Sequence, residues 1–314
     1  MPNRFTFRQL EYMVAVGDAG SIALASQRIN VSSPSISAAI SQLEDEFGIQ
    51  LFVRHHAQGL SLTPGGRRIF DEARQILESA GALSDLAGDI SQTARGPISI
   101  GTIITVAPLL TAAVGRSFQH AFPDANMTLR EGNQIELLRM IGRGEIDVAL
   151  SYDLEIPRDL EFVPLVSLPP YVMLPKGHAL TEKDDLTIAD LANEPMVLLD
   201  MPLSRDYFLS MFQMAGLRPT IGERTADLSF ARSLVANGFG FSLINIRVQN
   251  TTAPDGKPLV FRPLVGDIRP MVLGLIMKQS GHRSRVVQAF CDHVKEAIKM
   301  GELPGVPAES QSPS

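Results

Sequence analysis

The chain has little that would place it outside the cell or in a membrane. Cys291 is its only cysteine, which excludes a disulfide within the chain and is typical of a reducing compartment. No apolar run approaches the about 20 residues that a membrane-spanning helix needs. Residues 1–5 lack the apolar core and the cleavage site of a signal peptide. We therefore expect a cytoplasmic protein with no membrane partner.

Residues suited to catalysis or metal binding are also scarce. Cys291 and His293 lie two residues apart on a predicted helix, so they face different sides and form neither a catalytic dyad nor a metal pair. The adjacent His55 and His56 have no further ligand cluster beside them. Neither a phosphate-binding glycine loop nor a serine nucleophile elbow occurs. The sequence predicts no catalytic residue, no metal and no cofactor, and hence no enzyme.

Positive charge is in short supply for a protein that binds nucleic acid. The 314 residues, enough for two or three domains, carry a net charge of −6. Residues 1–66 contain four arginines and no lysine, against five acidic residues. Because DNA-binding domains are often basic, this charge argues mildly against DNA. Any case for DNA binding must therefore come from the residue pattern.

The N-terminal segment has the pattern of three short helices and a hairpin. Apolar residues at helical spacing predict a helix over residues 6–18, and Ser21 suits the N-cap of a second helix. A serine before Pro34 is a strong start signal for the third helix. Residues 51–54 and 60–62 alternate as the strands of a small hairpin, or wing. Two helices joined by a tight turn are typical of a helix-turn-helix.

The third helix is the candidate DNA-reading element. The major groove is about 12 Å wide and admits one helix, whose first turn then meets base edges or a phosphate. The periodicity alone is equally compatible with a small helical bundle whose surface helix is rich in serine. The candidate DNA-contacting residues are Ser21, Ser32, Ser33, Pro34, Ser35, Ser37, Gln42, Arg54 and Arg67.

A long amphipathic helix is predicted to link the two parts of the chain, over residues 67–95. Its apolar residues repeat at alternating spacings of four and three over three heptads: Ile69, Ala73, Ile76, Ala80, Leu83, Ala87 and Ile90. A helix packed only on its own domain is the alternative, but three strict heptads favour a dimer-forming helix. The expected dimer seam consists of Ile69, Ile76, Leu83 and Ile90.

The remaining two thirds of the chain, residues 96–303, alternate between short apolar runs and helical patterns. Their initial βαβαβ order predicts a parallel sheet covered by helices. Residues 162–166 are expected to cross into a second α/β set, and the last strand and helix return to the first. The expected boundaries are residues 96–167 and 269–303 for lobe I, 168–268 for lobe II, and 304–314 for a disordered tail.

Ligands of open α/β sheets bind beyond the carboxyl ends of the strands, and a second lobe adds enclosure. Most of the ligand-binding candidates follow predicted strands, and the last of them lies in a glycine-containing turn that leads from a helix into a strand: Thr102, Thr105, Asn133, Tyr152, Met201, Pro202, Ser204, Arg205 and Phe239. Each also has a purely structural interpretation, such as Ser204 as a helix N-cap or Arg205 as an ion-pair partner. Hydroxyls, an amide and one arginine beside apolar side chains indicate a small carboxylate with an apolar part.

The order of residues in the N-terminal segment is that of a known family. The matching residues are Phe7-Arg8-Gln9-Leu10, Gly20-Ser21, Ala25, Val31-Ser32, Pro34, Ser37, Gln42-Leu43-Glu44, Gly48, Leu51-Phe52, Arg54 and Leu62-Thr63-Pro64-Gly65-Gly66. On these residues, the chain resembles the winged helix-turn-helix of LysR-type transcriptional regulators over residues 5–66. Ser33 and Ala38 stand where many members have glutamine and arginine that contact DNA. Direct base readout is therefore expected to be sparse, with DNA shape and the wing contributing more.

The resemblance also implies an architecture and a function. The fold class is then multi-domain: a winged helix-turn-helix, a long linker helix, and a two-lobed α/β effector domain similar to periplasmic binding proteins. The protein would be a ligand-responsive regulator, a dimer or tetramer that binds double-stranded DNA and a small-molecule effector, with RNA polymerase as a further candidate partner. A solute-binding protein with an accessory dimerising segment is the alternative, and an enzyme on the two-lobed fold comes third.

Overall fold

The computed structural model describes residues 4–55, 59–91, 94–246, 249–279 and 283–301. The chain divides into two compact units, Met1–Gln92 and Thr93–Ser314. The predicted tail, residues 304–314, lies outside the described residues. Within the described ranges, no helix is both long and apolar enough to span a membrane.

The first unit consists of helices and one short hairpin. Its elements are α1 (Phe7–Ala19), α2 (Ile22–Ile29), α3 (Ser33–Phe47), β1 (Phe52–His55), β2 (Gly59–Leu62) and α4 (Pro64–Ser91). Gly20 ends α1 and Gly48 ends α3, with φ of 64° and 66°, a conformation that glycine adopts without strain. Asn30 is also left-handed and makes the turn between α2 and α3 tight. The predicted helix-turn-helix followed by a wing is confirmed.

The core of the first unit includes the beginning of the long helix. Its buried residues include Leu10, Met13 and Val16 of α1, Ile36, Ile40 and Leu43 of α3, and Phe70 and Ala73 of α4. Fully burying an apolar side chain of this size contributes roughly 1.5–3 kcal/mol. The first turns of α4 are therefore part of the helix-turn-helix unit and not a free connector.

The second unit alternates strands and helices. Its elements are β3 (Gly96–Ile103), α5 (Ala107–Ala121), β4 (Ala125–Gly132), α6 (Gln134–Gly142), β5 (Val148–Tyr152), β6 (Leu160–Leu168), β7 (Tyr171–Pro175), β8 (Pro195–Leu199), α7 (Ser204–Met214), β9 (Thr220–Thr225), α8 (Leu228–Ala236), β10 (Ser242–Ile244), β11 (Leu259–Pro263), β12 (Met271–Lys278) and α9 (Arg285–Lys299). Two short 3₁₀ turns lie between β7 and β8.

Lobe I contains a five-stranded mixed sheet in the order β4-β3-β5-β12-β6. Strand β3 is parallel to β4 and β5, as predicted, whereas β12 is antiparallel to β5 and β6. Residues 162–166 were expected to be a crossing segment, but they lie within the edge strand β6. The reason is a non-local partner, because β12 pairs with β6 from more than a hundred residues further along the chain.

Lobe II has a core on each face of its sheet. Strands β10, β7 and β11 are antiparallel, β8 and β9 are parallel, and a bridge between Met196 and Phe241 joins the two sets. Helix α7 covers one face through Phe208 and Phe212, and α8 covers the other through Ala231 and Val235. Two lobes result, connected where β6 leads to β7 and where β11 leads to β12. The two-lobed α/β fold is confirmed.

Candidate functional site

Helix α3 begins one residue earlier than the sequence predicts. Ser32 is the N-cap, and its Oγ accepts a hydrogen bond from the Ser35 amide at 3.4 Å. The hydroxyls of Ser32 and Ser35 also lie 2.7 Å apart. Ser33 is consequently the first helical residue, and Pro34 occupies the first turn, where a missing N–H costs nothing. Two hydroxyls predicted to contact DNA therefore also stabilise the helix start.

The outer face of α3 is uncharged as far as Gln42, and the exposed Asp45 follows on the same face. Its exposed or half-buried residues include Pro34, Ser35, Ser37, Ala38, Ser41 and Gln42. The Gln42 side chain accepts a hydrogen bond from Gln9 Nε2 at 2.8 Å, which holds it against α1. Because α3 contains no lysine or arginine, this face can offer DNA only hydroxyls, amides and backbone groups. We use "reading face" for these six residues.

The wing is fixed to the helices around it. Glu44 Oε1 accepts hydrogen bonds from the amides of Leu51, at 2.7 Å, and Phe52, at 3.2 Å. The amide of Leu60 donates to the carbonyl oxygen of Gly20 at 2.7 Å. The carboxylate of Glu44 thus pairs with backbone donors next to the reading face. A negative charge that would otherwise repel phosphate is partly neutralised.

Three other predicted DNA contacts have different surroundings. Ser21 caps α2 and accepts a hydrogen bond from the Leu24 amide at 3.5 Å. Arg67 is exposed, and its guanidinium lies over the Phe70 ring, 5.4 Å from the ring centre. Arg54 belongs to β1, but its side chain lies outside the described residues, so its phosphate contact stays a prediction.

The predicted dimer seam is divided between two environments. Ile69 is half-buried against the core of its own unit, and Ala73, from the same heptad pattern, is completely buried there. Ile76 is 41% exposed. The side chains of Leu83 and Ile90 lie outside the described residues. The alternative interpretation, a helix packed on its own domain, therefore applies to the first turns of α4, and Ile76 is the exposed seam position among the described side chains.

A cavity lies between the two lobes, and the space in it that is open to the centre of a water-sized sphere is about 20 Å³. Its lining residues are Thr105, Tyr152, Leu199, Met201, Ser204, Phe208, Leu228, Ile244, Asn245, Ile246 and Met271. They come from both lobes and from the segment that follows β10. We call it the cleft cavity. It brings together four predicted effector-binding residues, Thr105, Tyr152, Met201 and Ser204.

The polar groups of the cleft cavity are buried hydroxyls and one amide. Tyr152 Oη and Thr105 Oγ1 are hydrogen-bonded at 3.2 Å. Burial raises the pKa of Tyr152 to about 12, although the hydrogen bond with Thr105 opposes this shift. The phenol is therefore neutral at physiological pH. Tyr152 ends β5 instead of following it, because the strand extends two residues beyond its predicted end at residue 150.

The position of Ser204 depends on a strained turn. The backbone of Leu203 has φ 66° and ψ −46°, a conformation that residues other than glycine rarely adopt. The carbonyl oxygen of Pro202 accepts a hydrogen bond from the Ser204 amide at 2.9 Å. This closes a γ-turn, and such backbone conformations cost roughly 1–3 kcal/mol. Leu203 is the N-cap of α7. The interpretation of Ser204 as the N-cap is therefore wrong, and its buried hydroxyl lines the cleft cavity instead.

Asn245 lines the cleft cavity but is not among the residues predicted from the sequence. Its Nδ2 donates to the carbonyl oxygen of Leu168 at 2.9 Å and to Tyr207 Oη at 3.3 Å. Its Oδ1 is buried and has no hydrogen-bond partner in the described part of the chain. The sequence could have indicated Asn245 as a ligand-binding candidate, because it directly follows the buried strand β10 and ligands bind beyond the ends of such strands.

Five predicted effector-binding residues do not line the cleft cavity. Thr102 lies within β3 and lines a separate small cavity between the sheet and helices α5 and α9. Asn133 forms a capping box with Glu136 at the start of α6. The Phe239 side chain is largely exposed. Pro202 and Arg205 flank Ser204 on α7 and its turn without reaching the cavity lining.

Arg205 is engaged by acidic neighbours. Its guanidinium donates to Asp200 at 2.8 Å and to Asp206 at 3.1 Å, and it holds the pKa of the Asp200 carboxyl below its usual value. Among the described lining residues of the cleft cavity there is no lysine, arginine or histidine. The predicted carboxylate ligand relied on Arg205 as its cation, and the arrangement of the site removes that basis.

Two sequence families match the chain along most of its length. "Bacterial regulatory helix-turn-helix protein, lysR family" matches residues 7–67, and "LysR substrate binding domain" matches residues 91–299. The chain is 30% identical over 285 residues to the DNA-binding transcriptional dual regulator OxyR of Escherichia coli, covering 90% of this chain and 92% of OxyR.

Solved structures of similar proteins cover both units. HinK, a LysR family transcriptional regulator from Pseudomonas aeruginosa, is 33% identical with a TM-score of 0.63, over 93% of this chain and 98% of HinK. Full-length CbnR, solved with its target DNA, is 26% identical with a TM-score of 0.55, over 93% of this chain and 99% of CbnR.

A winged helix-turn-helix followed by a two-lobed domain with a cavity between its lobes defines a ligand-responsive transcription regulator and not an enzyme. Such a protein binds double-stranded DNA and a small-molecule effector, and it acts as an oligomer. The chain belongs to the LysR family of transcriptional regulators. The family predicted from the N-terminal residues is thereby confirmed.

Proposed function

We propose that the reading face of α3 and the wing contact DNA, that α4 pairs two copies of the chain from Ile76 onward, and that a molecule in the cleft cavity alters DNA affinity. We place this activity in the cytoplasm, where the single cysteine stays reduced. A tetramer of two dimers and a contact with RNA polymerase stay predictions.

One observation carries the ligand response: the walls of the cleft cavity come from both lobes and from the segment after β10. A molecule that contacts both walls binds one arrangement of the lobes more tightly than any other. It therefore shifts the population of lobe arrangements, and any interface between copies that depends on them shifts too. The coupling is tested by measuring operator affinity with the cavity filled and with the cavity empty.

The reading face supplies a test of DNA contact at Ala38. Replacing Ala38 with arginine should tighten binding to the DNA flanking its own gene about tenfold and steepen the salt dependence by about one unit per copy, because one phosphate contact is added. Ala38→Glu should weaken binding by about the same factor. Fluorescence anisotropy across a salt series measures both effects.

The matched control is Ala113, which is exposed on α5 in the second unit. Ala113→Glu adds the same charge to the same residue type and should leave DNA affinity unchanged. Equal weakening by Ala38→Glu and Ala113→Glu would show that the net charge of the chain, and not the reading face, governs binding.

Several relatives of 29–30% identity are named hydrogen peroxide-inducible genes activators. We propose that this chain is not a thiol-based peroxide sensor. Cys291 is its only cysteine, it is 1% exposed on α9, and burial raises the pKa of its thiol to about 11. The thiolate is the reactive form, and it is rare at neutral pH when the pKa lies this high.

A thiol reagent tests this directly. The Cys291 thiol should react with Ellman's reagent at least about 100-fold more slowly in the folded chain than in urea. Peroxide should leave the DNA affinity unchanged, and Cys291→Ser should behave like the parent chain in the same assay. A peroxide-dependent change in DNA affinity that disappears in Cys291→Ser would contradict the proposal.

A further inference from the structure

The described lining of the cleft cavity offers hydrogen-bonding groups to a bound molecule but no ionised group. We propose that it takes an uncharged, largely apolar molecule with at least one hydrogen-bond donor, and that Asn245 Oδ1 accepts this donor. The inference rests on the proposed function, because it specifies the ligand class of the same cleft.

The described wall of the cleft cavity disfavours a bare charge. Seven of the eleven described lining residues are leucine, isoleucine, methionine or phenylalanine, and the other four are the uncharged Thr105, Tyr152, Ser204 and Asn245. An ionised carboxylate placed there would lose its hydration without gaining a cation from the described lining. Arg205, the nearest cation on the adjoining helix, is already paired with Asp200 and Asp206.

The orientation of the Asn245 amide is fixed by its neighbours. The carbonyl oxygen of Leu168 can only accept a hydrogen bond, so the atom 2.9 Å from it must be the nitrogen. The second Nδ2 hydrogen points to Tyr207 Oη. Oδ1 is therefore the one group of this side chain that has no hydrogen-bond partner among the described residues. It is a buried acceptor that no described residue satisfies.

Buried acceptors without a partner are rare in folded proteins, and each calls for an explanation. Asn245 is one of the residues that line the cleft cavity, and on this proposal a donor on a bound molecule that reaches Oδ1 supplies the missing partner. An ordered water on Oδ1 is the competing explanation. The two explanations differ in one measurable respect, since a water would make the cavity indifferent to donors on the ligand.

The hydroxyl groups of the cavity also favour an uncharged ligand that forms hydrogen bonds. Thr105 and Tyr152 share one hydrogen bond, which uses one of their two hydroxyl hydrogens. The Ser204 side chain is buried and lines the same cavity. Hydroxyls donate as well as accept, so they suit a hydroxyl, carbonyl or amide on the ligand. The ligand class that satisfies the whole wall is therefore a neutral amide, alcohol or phenol on an apolar body.

Asn245 also connects this site to the segments that join the lobes. Its Nδ2 holds the carbonyl of Leu168, the last residue of β6, and Tyr207 Oη. Tyr207 in turn donates to the carbonyl oxygen of Arg269, just before β12. A ligand on Oδ1 thus acts on a side chain that contacts one connection directly and the other through Tyr207.

Three isosteric probes on each ring separate the possibilities. Phenyl, cyclohexyl and naphthyl rings are each taken as the carboxamide, the methyl ketone and the carboxylate, which differ only in donor and charge. Calorimetric titration of the full chain should show the best carboxamide binding about two- to tenfold more tightly than its ketone, the range of one neutral hydrogen bond. The carboxylate should bind most weakly.

Variants then locate the acceptor. Tyr152→Phe and Ser204→Ala should weaken all probes slightly and keep the ratio of amide to ketone affinity. Asn245→Leu should bring this ratio to about one. Since Asn245→Leu also removes two donated hydrogen bonds, the parent chain's own ratio tests the inference if that variant does not fold. Tyr171→Phe, outside the cavity lining, is the control.

Several results would overturn the inference. They are a carboxylate that binds as tightly as its amide, equal affinity for amide and ketone, loss of the ratio in Tyr152→Phe or Ser204→Ala, and no carboxamide binding at millimolar concentration. Carboxylates that bind in the cleft and change DNA affinity would overturn the ligand class but leave the proposed function intact. A carboxamide that binds without changing DNA affinity would overturn the proposed function but leave the ligand class intact.

Discussion

An Ile76→Asp variant is expected to lose its dimer and to bind operator DNA at least about 100-fold more weakly, because linked binding modules gain 10²–10⁴ in avidity without new contacts. Ile76 is a large apolar side chain, 41% exposed on α4, and thus contributes little to the core of its own unit. Aspartate at this position would place a charge in an apolar seam without a partner. Analytical ultracentrifugation and operator titration measure the two effects together.

The neighbouring Gln75 provides the matched control, because it is exposed on the same helix but outside the heptad pattern. Gln75→Asp should stay dimeric and keep its operator affinity. If Ile76→Asp stayed dimeric at micromolar concentration, the seam would have to begin further along α4. If it became monomeric with unchanged operator affinity, one helix-turn-helix would suffice for binding, contrary to the weak, uncharged reading face.

Local signals account for most of the helix-turn-helix. Ser21 caps α2, and Gly20 and Gly48 end helices in the left-handed conformation, all as their residue types indicate. The start of α3 was misplaced by one residue because consecutive serines compete for the cap. Ser32 is the residue whose hydroxyl reaches the Ser35 amide, and this choice depends on a turn geometry that the sequence leaves open.

The heptad pattern of α4 illustrates a limit of periodicity. Ala73 and Ile76 belong to the same pattern of fours and threes, yet Ala73 is buried in its own unit and Ile76 is exposed. A stripe of apolar residues indicates that one face of a helix is buried, but it does not indicate whether the same domain or a second copy of the chain covers that face. Gly17 on α1 helps to determine which part of α4 is buried in its own unit, because the lack of a side chain there lets Phe70 of α4 pack directly against α1.

The cleft shows both the strength and the limit of the strand-end rule. The rule found Tyr152 and Ser204, but it also selected Thr102, whose side chain points away from the cleft into the helix-covered side of the sheet. The face on which a strand residue lies depends on register with its neighbours. The sequence also could not predict whether Arg205 would be available to a ligand, because this depends on its ion pair with Asp200 in the folded structure.

The largest stability effect is expected at Phe70. Phe70→Ala should lower the opening free energy of the first unit by about 3–5 kcal/mol, the usual cost of deleting a buried aromatic ring. The ring is 3% exposed, and the guanidinium groups of Arg74 and Arg67 lie 4.8 Å and 5.4 Å from its centre. Native-state hydrogen exchange of the α1 amides in the full chain measures the change without assuming that both units unfold together.

Phe7 supplies the control, since it is 56% exposed on α1 and Phe7→Ala should cost about 0.5 kcal/mol or less. Gly17 tests the same contact from the side of α1, because a Cβ there would collide with the Phe70 ring. Gly17→Ala should therefore destabilise the parent chain and be nearly neutral when Phe70 is alanine. Simple additivity of the two substitutions would mean that the ring does not press on α1.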